Sequence, residues 1–513
     1  MHPTLSPYII LAVLVVYFLV LVGVSHLTSK KSSNSTFFLA DRKAPWYLVA
    51  FGMIGASISG VTFISIPGKV GAGGANMAFS YMQMVMGYFV GYLVIAGVLM
   101  PIYYRMNLIS IYTYLEQRLG HFSYKTGAAF FLLSRTVGSA FRMYLVAMVL
   151  QTFVLAPLGV PFWLTALIVV FLIWVYTYKG GANTVLWTDT LQTVFLLSAV
   201  WLTISAIGTA LEKSTPQLLS MVWNSDYSQI FFFKGGWSDP NNFFKQFISG
   251  ALITIVMTGL DQDLMQKNLT CRNLSDARKN MLSFSVVLIF VNFSFLTLGA
   301  LLYIYAANLG IAIPPKTDML YPTIAFNYLS PTSTIIFILG LVAAAYASAD
   351  SALTSLTTSF CIDFLNFQKK LPQPTYFGED VTEARSEAEE AQKSVRFKVH
   401  IGASVVLFLV IVLFNAINDE AVINRLFEAA GYTYGPLLGL FAFGLLTRWR
   451  VKDRFVPYAC VAAPILSYLI NQNSEALLGG FKLGFLILAV NGLLTFFGLW
   501  LLRRRDGLSD FTA

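Results

Sequence analysis

LVAAAYASADSALTSLTTSFCIDF, residues Leu341–Phe364, closes an apolar run long enough to cross a bilayer as a helix. Where lipid would favour Leu and Val, it carries small residues, hydroxyls and a carboxylate, which are costly in hydrocarbon unless they meet protein, water or an ion. On a helix Ala347, Asp350, Ser351 and Thr354 share one face, and Ala344, Ser348, Ser351 and Ser355 form the adjoining stripe. Hard cations take oxygen ligands, and a membrane interior supplies them through carbonyls, hydroxyls or a buried acid. Small-residue packing, with hydroxyls bonded back to their own helix, accounts for single positions in such a stripe. It does not account for Asp350.

Around this segment the chain of 513 residues is 57% apolar and only 12% charged, about half the charge a soluble surface needs. It reads as an all-α polytopic membrane protein. Apolar runs of about 20 residues predict about 13 spans, near 7–27, 46–67, 79–104, 125–155, 161–178, 184–210, 243–266, 281–308, 333–361, 398–416, 426–446, 455–472 and 479–502. The net charge of +9 does not point to nucleic acid, because the basic residues gather in alternate short loops. They are Lys30, Lys31, Arg42 and Lys43; Arg105 and Arg118; Lys179; Lys267, Arg272, Arg278 and Lys279; Arg448, Arg450, Lys452 and Arg454; and Arg503 to Arg505. That asymmetry predicts an outside amino terminus and an inside carboxy terminus. Cys271, Cys361 and Cys460 are too few and too scattered for a disulfide framework or a metal site. The first span lacks a basic leader and a small-residue cleavage pattern, so it is read as a retained, peripheral helix.

Taken in order, the second span, APWYLVAFGMIGASISGVTFISIPG, sets Gly52, Gly55 and Gly60 around Ser57, Ser59 and Thr62. Glycines and hydroxyls at that depth suit a broken helix, whose freed carbonyls need an ion, a ligand or a neighbour; a close-packing face is the alternative. KVGAGGANM follows as a flexible outer vestibule. Gln83 lies near the end of the third span, and Arg135 and Arg142 share a face of the fourth. Arginine inside a span needs a wet cavity, an anionic ligand or a carboxylate, and Asp189 and Asp350 are the candidate partners. The seventh span ends in GLDQDLMQKNLTCRNLSDARKN, polar at Asp261, Gln262, Asp263 and Gln266; the structural alternative there is a helix end capped at Asn273 or Ser275. The charged loop containing EARSEAEEAQ is expected to hold a short solvated helix, and Gly431, Gly435, Pro436 and Gly439 mark a kinkable helix in AAGYTYGPLLGLFAFGLL. No hydrolase, kinase or metalloprotease signature is present, and the four histidines form no i, i+4 pair. With no catalytic set, and with polar interruptions in two distant spans, the chain reads as a secondary transporter.

NSTFFLADRKAPWYLVAFGMIGASIS, WTDTLQ, DQDLMQKNLTCRNLSDARK, ASADSALTSLTTSFCIDF and GYTYGPLLGLF together resemble the sodium:solute symporter family, from about residue 8 to 446. The resemblance implies a leucine-transporter-type core of two inverted five-helix repeats, 46–210 and 243–446, with a leading helix at 7–27 and trailing helices at 455–502. It implies co-transported sodium as the only cofactor, bound at the carbonyls of Gly55, Ile58 and Ala344 and the hydroxyl of Ser348. Ala347 stands where many relatives carry a further hydroxyl ligand. A second sodium site would fall at Asp189, Asp350 and Ser351; Asp350 as a proton carrier, or as a partner of Arg142, is the alternative. The substrate pocket would involve Ser57, Ser59, Thr62, Gln83, Arg135, Arg142 and Gln262. The expected activity is sodium-driven import of a small organic solute by alternating access, carboxylate-bearing such as sialic acid or a monocarboxylate. A neutral sugar, polyol or amino acid, or proton coupling, is the alternative, and a ligand sensor ranks lower. A monomer or weak oligomer in the cell membrane is expected.

Overall fold

A computed structural model describes residues 5–29, 34–71, 77–178, 181–236, 239–367, 380–417, 422–481 and 483–508. Lys30, Lys31, Lys179, most of the vestibule segment and the loop 368–379 lie outside the described residues. Among the described residues nine helices are long and apolar enough to cross a membrane, three further pairs of helices are so when joined across a bend, and Phe162–Thr177 is a shorter apolar helix. By length and composition this gives nine to twelve spans; the about 13 expected from apolar runs includes that shorter helix.

The order is α1 (Pro7–Thr28), the bent pair α2 (Trp46–Ser57) and α3 (Gly60–Lys69), α4 (Tyr81–Arg105), α5 (His121–Leu158), α6 (Phe162–Thr177) and α7 (Gly181–Ala210). The second half runs through the bent pair α8 (Phe243–Gly259) and α9 (Gln262–Leu269), then α10 (Leu274–Leu309), α11 (Pro331–Phe364) and α12 (Asp380–Ile417). The bent pair α13 (Leu426–Thr433) and α14 (Gly435–Leu446), α15 (Asp453–Gln472) and α16 (Gly484–Leu501) complete it. The acidic stretch expected as a separate helix is the amino-terminal extension of α12.

Burial sorts these helices. In α11, 78% of the most apolar window is buried inside the protein, against 22% in α1. The polar stripe of α11 therefore faces other helices, chiefly α7, with α2 on the same side. α1 buries only Ile10, Tyr17, Leu21 and Ser25 fully, with the Ser25 hydroxyl donating to the Tyr176 carbonyl at 2.5 Å.

Each bend follows from its residues. α2 ends at Ser57, Ile58 leaves the helix with φ −87° and ψ 86°, and Ser59 is extended before α3 starts, so the two axes differ by 56°. α8 stops at Gly259; Asp261 is extended and its carboxylate accepts the Asp263 N–H at 2.8 Å, which starts α9 at 63° to α8. The 43° bend between α13 and α14 falls at Gly435–Pro436, where a proline at the first turn suits a new helix.

Two basic residues assigned to inner loops are buried instead. Arg118 spreads its guanidinium over the carbonyls of Gly444 at 3.0 Å and Trp449 at 3.2 Å, and over that of Thr447, so it closes the carboxy end of α14. Lys267 lies within α9 and is 4% exposed. Asn273 caps α10 by accepting the Asp276 N–H at 2.9 Å. At the far end of the core Asp453 caps α5, accepting the N–H groups of Phe122 at 2.7 Å and Ser123 at 2.8 Å and the Ser123 hydroxyl at 2.6 Å. Beside it a short strand, β1 (Trp449–Val451), pairs antiparallel with β2 (Arg503–Leu508).

Candidate functional site

The break between α2 and α3 opens on a cavity of about 90 Å³. One wall carries Ser57, Ser59 and Thr62; the others carry Tyr81, Tyr88 and Tyr92 from α4, Arg142 from α5, Thr254 and Thr258 from α8, and Asn292 from α10. Tyr81 and Tyr88 join hydroxyls at 2.8 Å, and Tyr92 turns its own toward Ser57 and Thr258. Leu426 and Phe427 of α13 close the cavity with Ile58, Val61 and Met257. Arg142 is the one charged side chain among the described residues that line it, and its buried Nε has no hydrogen-bond partner among them.

Four of the seven expected substrate residues, Ser57, Ser59, Thr62 and Arg142, line this cavity, and three do not. Gln83 is spent on backbone: its amide donates to the carbonyls of Ser80 at 3.2 Å and Asn241 at 2.8 Å and accepts the Phe232 N–H at 3.0 Å. Gln262 likewise donates to the Ile109 carbonyl at 2.7 Å and accepts the Ile111 N–H at 3.0 Å. Arg135 is buried against Asp263. Their polarity was legible; that each already had a partner in a distant segment was not.

Behind the cavity the carbonyls of Gly55, Ala56, Ser57 and Ile58 receive no hydrogen bond from the protein among the described residues. They are the orphans any helix end leaves. Gly55 holds α2 against both neighbours: its N–H donates to the Thr193 hydroxyl at 3.0 Å, and a Cβ there would stand 2.4 Å from that oxygen and 3.5 Å from the Ala347 Cβ. Across this contact Ala344, Ala347 and Ser348 are buried on α11, and the Ser348 hydroxyl donates to the Ala345 carbonyl at 3.0 Å, which leaves its oxygen lone pairs for another group. The residues expected at the common sodium site thus sit on two helices in contact.

One layer further, the buried charges find partners different from those expected. Neither arginine pairs with Asp189 or Asp350. Arg135 pairs with Asp263, whose carboxylate also accepts the Ser351 hydroxyl. Asp189 pairs with Lys267, which approaches from α9. Asp350 accepts three neutral donors: the Tyr176 hydroxyl at 3.1 Å, the Thr188 hydroxyl at 3.2 Å and the Ser351 N–H at 2.5 Å. Asp261 accepts the hydroxyl of Tyr434, which sits at the bend between α13 and α14. Removing one partner of such a pair costs about 3–5 kcal/mol, because it strands the other charge. Among the described residues no group of three or more His, Cys, Asp or Glu could hold a metal ion, so a cation here would rely on hydroxyls and carbonyls as well as carboxylates.

Lys267 and the tyrosine wall went unread in the sequence. Nothing local signalled Lys267: its spacing of four from Asp263 suggests a pair along the helix, but Asp263 meets Arg135 and Lys267 meets Asp189. Tyr81, Tyr88 and Tyr92, at intervals of seven and four, form one helical face in YMQMVMGYFVGYLV.

A broken helix whose free carbonyls abut a hydroxyl-bearing helix, beside a polar cavity inside a membrane bundle, defines a transporter rather than a channel or an enzyme. The sodium:solute symporter family matches residues 37–451, and the chain belongs to it. The sodium/sialic acid symporter NanT of Aliivibrio fischeri is 24% identical over 83% of this chain and 80% of its own length. SiaT of Proteus mirabilis is 21% identical over 84% and 82%, and the human sodium/iodide cotransporter 22% identical over 80% of this chain and 61% of its own. A sodium-coupled sialic acid symporter of known structure, in a substrate-bound outward-open state, superposes with a TM-score of 0.76 at 18% identity, covering 96% of this chain and 97% of that one. Mhp1, a nucleobase-cation-symport transporter, superposes at 0.52 and 13% identity, over 91% and 94%. The fold is therefore the leucine-transporter type, and the chain is a multi-pass, sodium-coupled solute symporter.

Proposed function

We propose that this symporter imports a small carboxylate-bearing solute, held by Arg142 and the tyrosine and hydroxyl wall of the cavity. The observation that carries this reading is Arg142, a half-buried guanidinium on the cavity wall with an unsatisfied donor and no ion pair among the described residues, although the charges of Asp261 and Arg135 reach it. Such a donor fork matches a carboxylate. Named relatives that transport sialic acid and iodide handle anions as well.

In this reading the first sodium ion lies between α2 and α11, on the carbonyls of Gly55, Ile58 and Ala344 and the hydroxyl of Ser348. A second lies near Asp189, Asp350 and Ser351. Filling the first site ties the broken helix to α11 and shapes the cavity wall that Ser57 and Ser59 share with it. Substrate then permits closure and inward opening. The coupling is reciprocal, so substrate tightens sodium binding by the factor by which sodium tightens substrate binding. An inward membrane potential adds about 2.3 kcal/mol per charge per 100 mV. The core is two five-helix repeats at 46–210 and 243–446, working as a monomer or weak oligomer in the cell membrane. The loop charges favour an amino terminus outside and a carboxy terminus inside.

Uptake into proteoliposomes tests this, with a panel of monocarboxylates, sialic acid, sugars, proline and inositol under a sodium gradient. A carboxylate-bearing solute should be taken up in a sodium-dependent way, and Arg142→Gln should cut that uptake at least about tenfold while sodium binding persists. Sodium-dependent uptake of a neutral solute alone, or carboxylate uptake indifferent to Arg142→Gln, would overturn the assignment.

A further inference from the structure

Two carboxylates, Asp189 on α7 and Asp350 on α11, are fully buried at the second site, and Lys267 reaches Asp189 from α9. The three groups come from three helices, and α9 belongs to a broken pair. The ammonium has no acceptor capacity and carries one fixed charge on a tether, so electrostatically it does what a bound monovalent cation does, but it cannot leave with the substrate. Its hydrogen bond goes to Asp189, while its charge also reaches Asp350. The contact is with Asp189 Oδ2; among the described residues Asp189 Oδ1 is buried with no hydrogen-bond partner, as is the hydroxyl of Thr354 on the stripe that carries Asp350. Asp350 itself makes no ion pair among the described residues and is held by hydroxyls and one backbone N–H. Two buried oxygen atoms without a donor, one on each of α7 and α11, thus accompany a carboxylate that makes no ion pair of its own among the described residues.

Resting on the second sodium site proposed above, we infer that Lys267 is a chain-borne cation of that site and sets how many sodium ions it takes. By neutralising Asp189 it lowers the demand for exchangeable cations from two to one, and that one belongs to Asp350. Two adjacent buried carboxylates cannot both stay ionised without two positive charges. Supplying one from the chain reduces the charge moved per cycle and leaves Asp189 as a fixed anchor for α9.

Counting radiolabelled sodium bound per purified chain in detergent tests this without a known substrate. Lys267→Gln should bind one more ion per chain than the wild type, and Asp350→Asn one fewer. Asp189→Asn with Lys267→Gln should match the wild type; this double change also serves if the single change fails to fold, because it leaves no stranded charge. An equal count in Lys267→Gln and the wild type, or one ion fewer in the double variant, would overturn the inference while leaving sodium coupling intact. No sodium bound by the wild type would instead sink the sodium-site reading beneath it.

Discussion

α2 and α8 both break inside the bundle, through bends of 56° and 63°, and the two breaks are finished in opposite ways. At the second, side chains from distant segments close the carbonyls at the bend itself. The Tyr103 hydroxyl donates to the Gly259 carbonyl at 2.9 Å, the Tyr112 hydroxyl donates to that of Leu260 at 3.0 Å, Asp261 caps α9, and Gln262 clamps the chain at Ile109 and Ile111. At the first, the carbonyls of Gly55 to Ile58 have no such donors among the described residues. A buried, unsatisfied polar group costs about 1–3 kcal/mol. A chain able to plug one break with tyrosines leaves the other bare at a cost that a bound cation can offset. The contrast separates a break built to be stable from one built to be filled, and it exposes both to test.

The largest effect is expected at the first break. Gly55→Leu would drive its side chain into the Thr193 hydroxyl, which an added Cβ already approaches to 2.4 Å. Sodium binding followed by intrinsic fluorescence should fall below detection; sodium affinity within threefold of the wild type would remove the first break from the ion site. Next comes Gln262→Ala, which strands the Ile111 N–H and the Ile109 carbonyl. It should lower stability by about 2–4 kcal/mol, read as a fall in Tm, with sodium affinity unchanged. A matching loss of sodium affinity would mean that the two breaks are not functionally distinct. Smallest is Tyr103→Phe, which takes one donor from the second break and should cost about 1 kcal/mol with transport intact.

The same contrast shows how far the sequence could be read. Gly52, Gly55 and Gly60 among hydroxyls pointed to the first break as well as to close packing, and the structure shows both. The second lacks such a cluster; GLDQDL reads as a polar helix end, and its closure depends on Tyr103 and Tyr112 arriving from some 150 residues away. Charge was legible and pairing was not. Arg135, Asp189 and Asp350 stood out as buried ionisable groups, yet nothing local says that Asp263 meets the first, Lys267 the second, and hydroxyls the third. Lys267 and Arg118 were hidden by a rule that works on averages: basic residues at span ends set topology, but each of these reaches back into the bundle and serves a buried partner.

Asp453 has a consequence in time. It caps the first turn of α5 from 331 positions downstream of Phe122, and α5 carries both Arg135 and Arg142. At synthesis rates of about 5–20 residues per second, that cap arrives roughly a quarter of a minute to a minute after the helix it finishes. For that interval α5 sits in the membrane with a frayed first turn, free to adjust its depth and rotation against helices still being made. The last segment of the chain thereby locks the position of the arginines, and a chain truncated ahead of Asp453 should show α5 open to hydrogen exchange at His121 to Tyr124 while its middle stays protected.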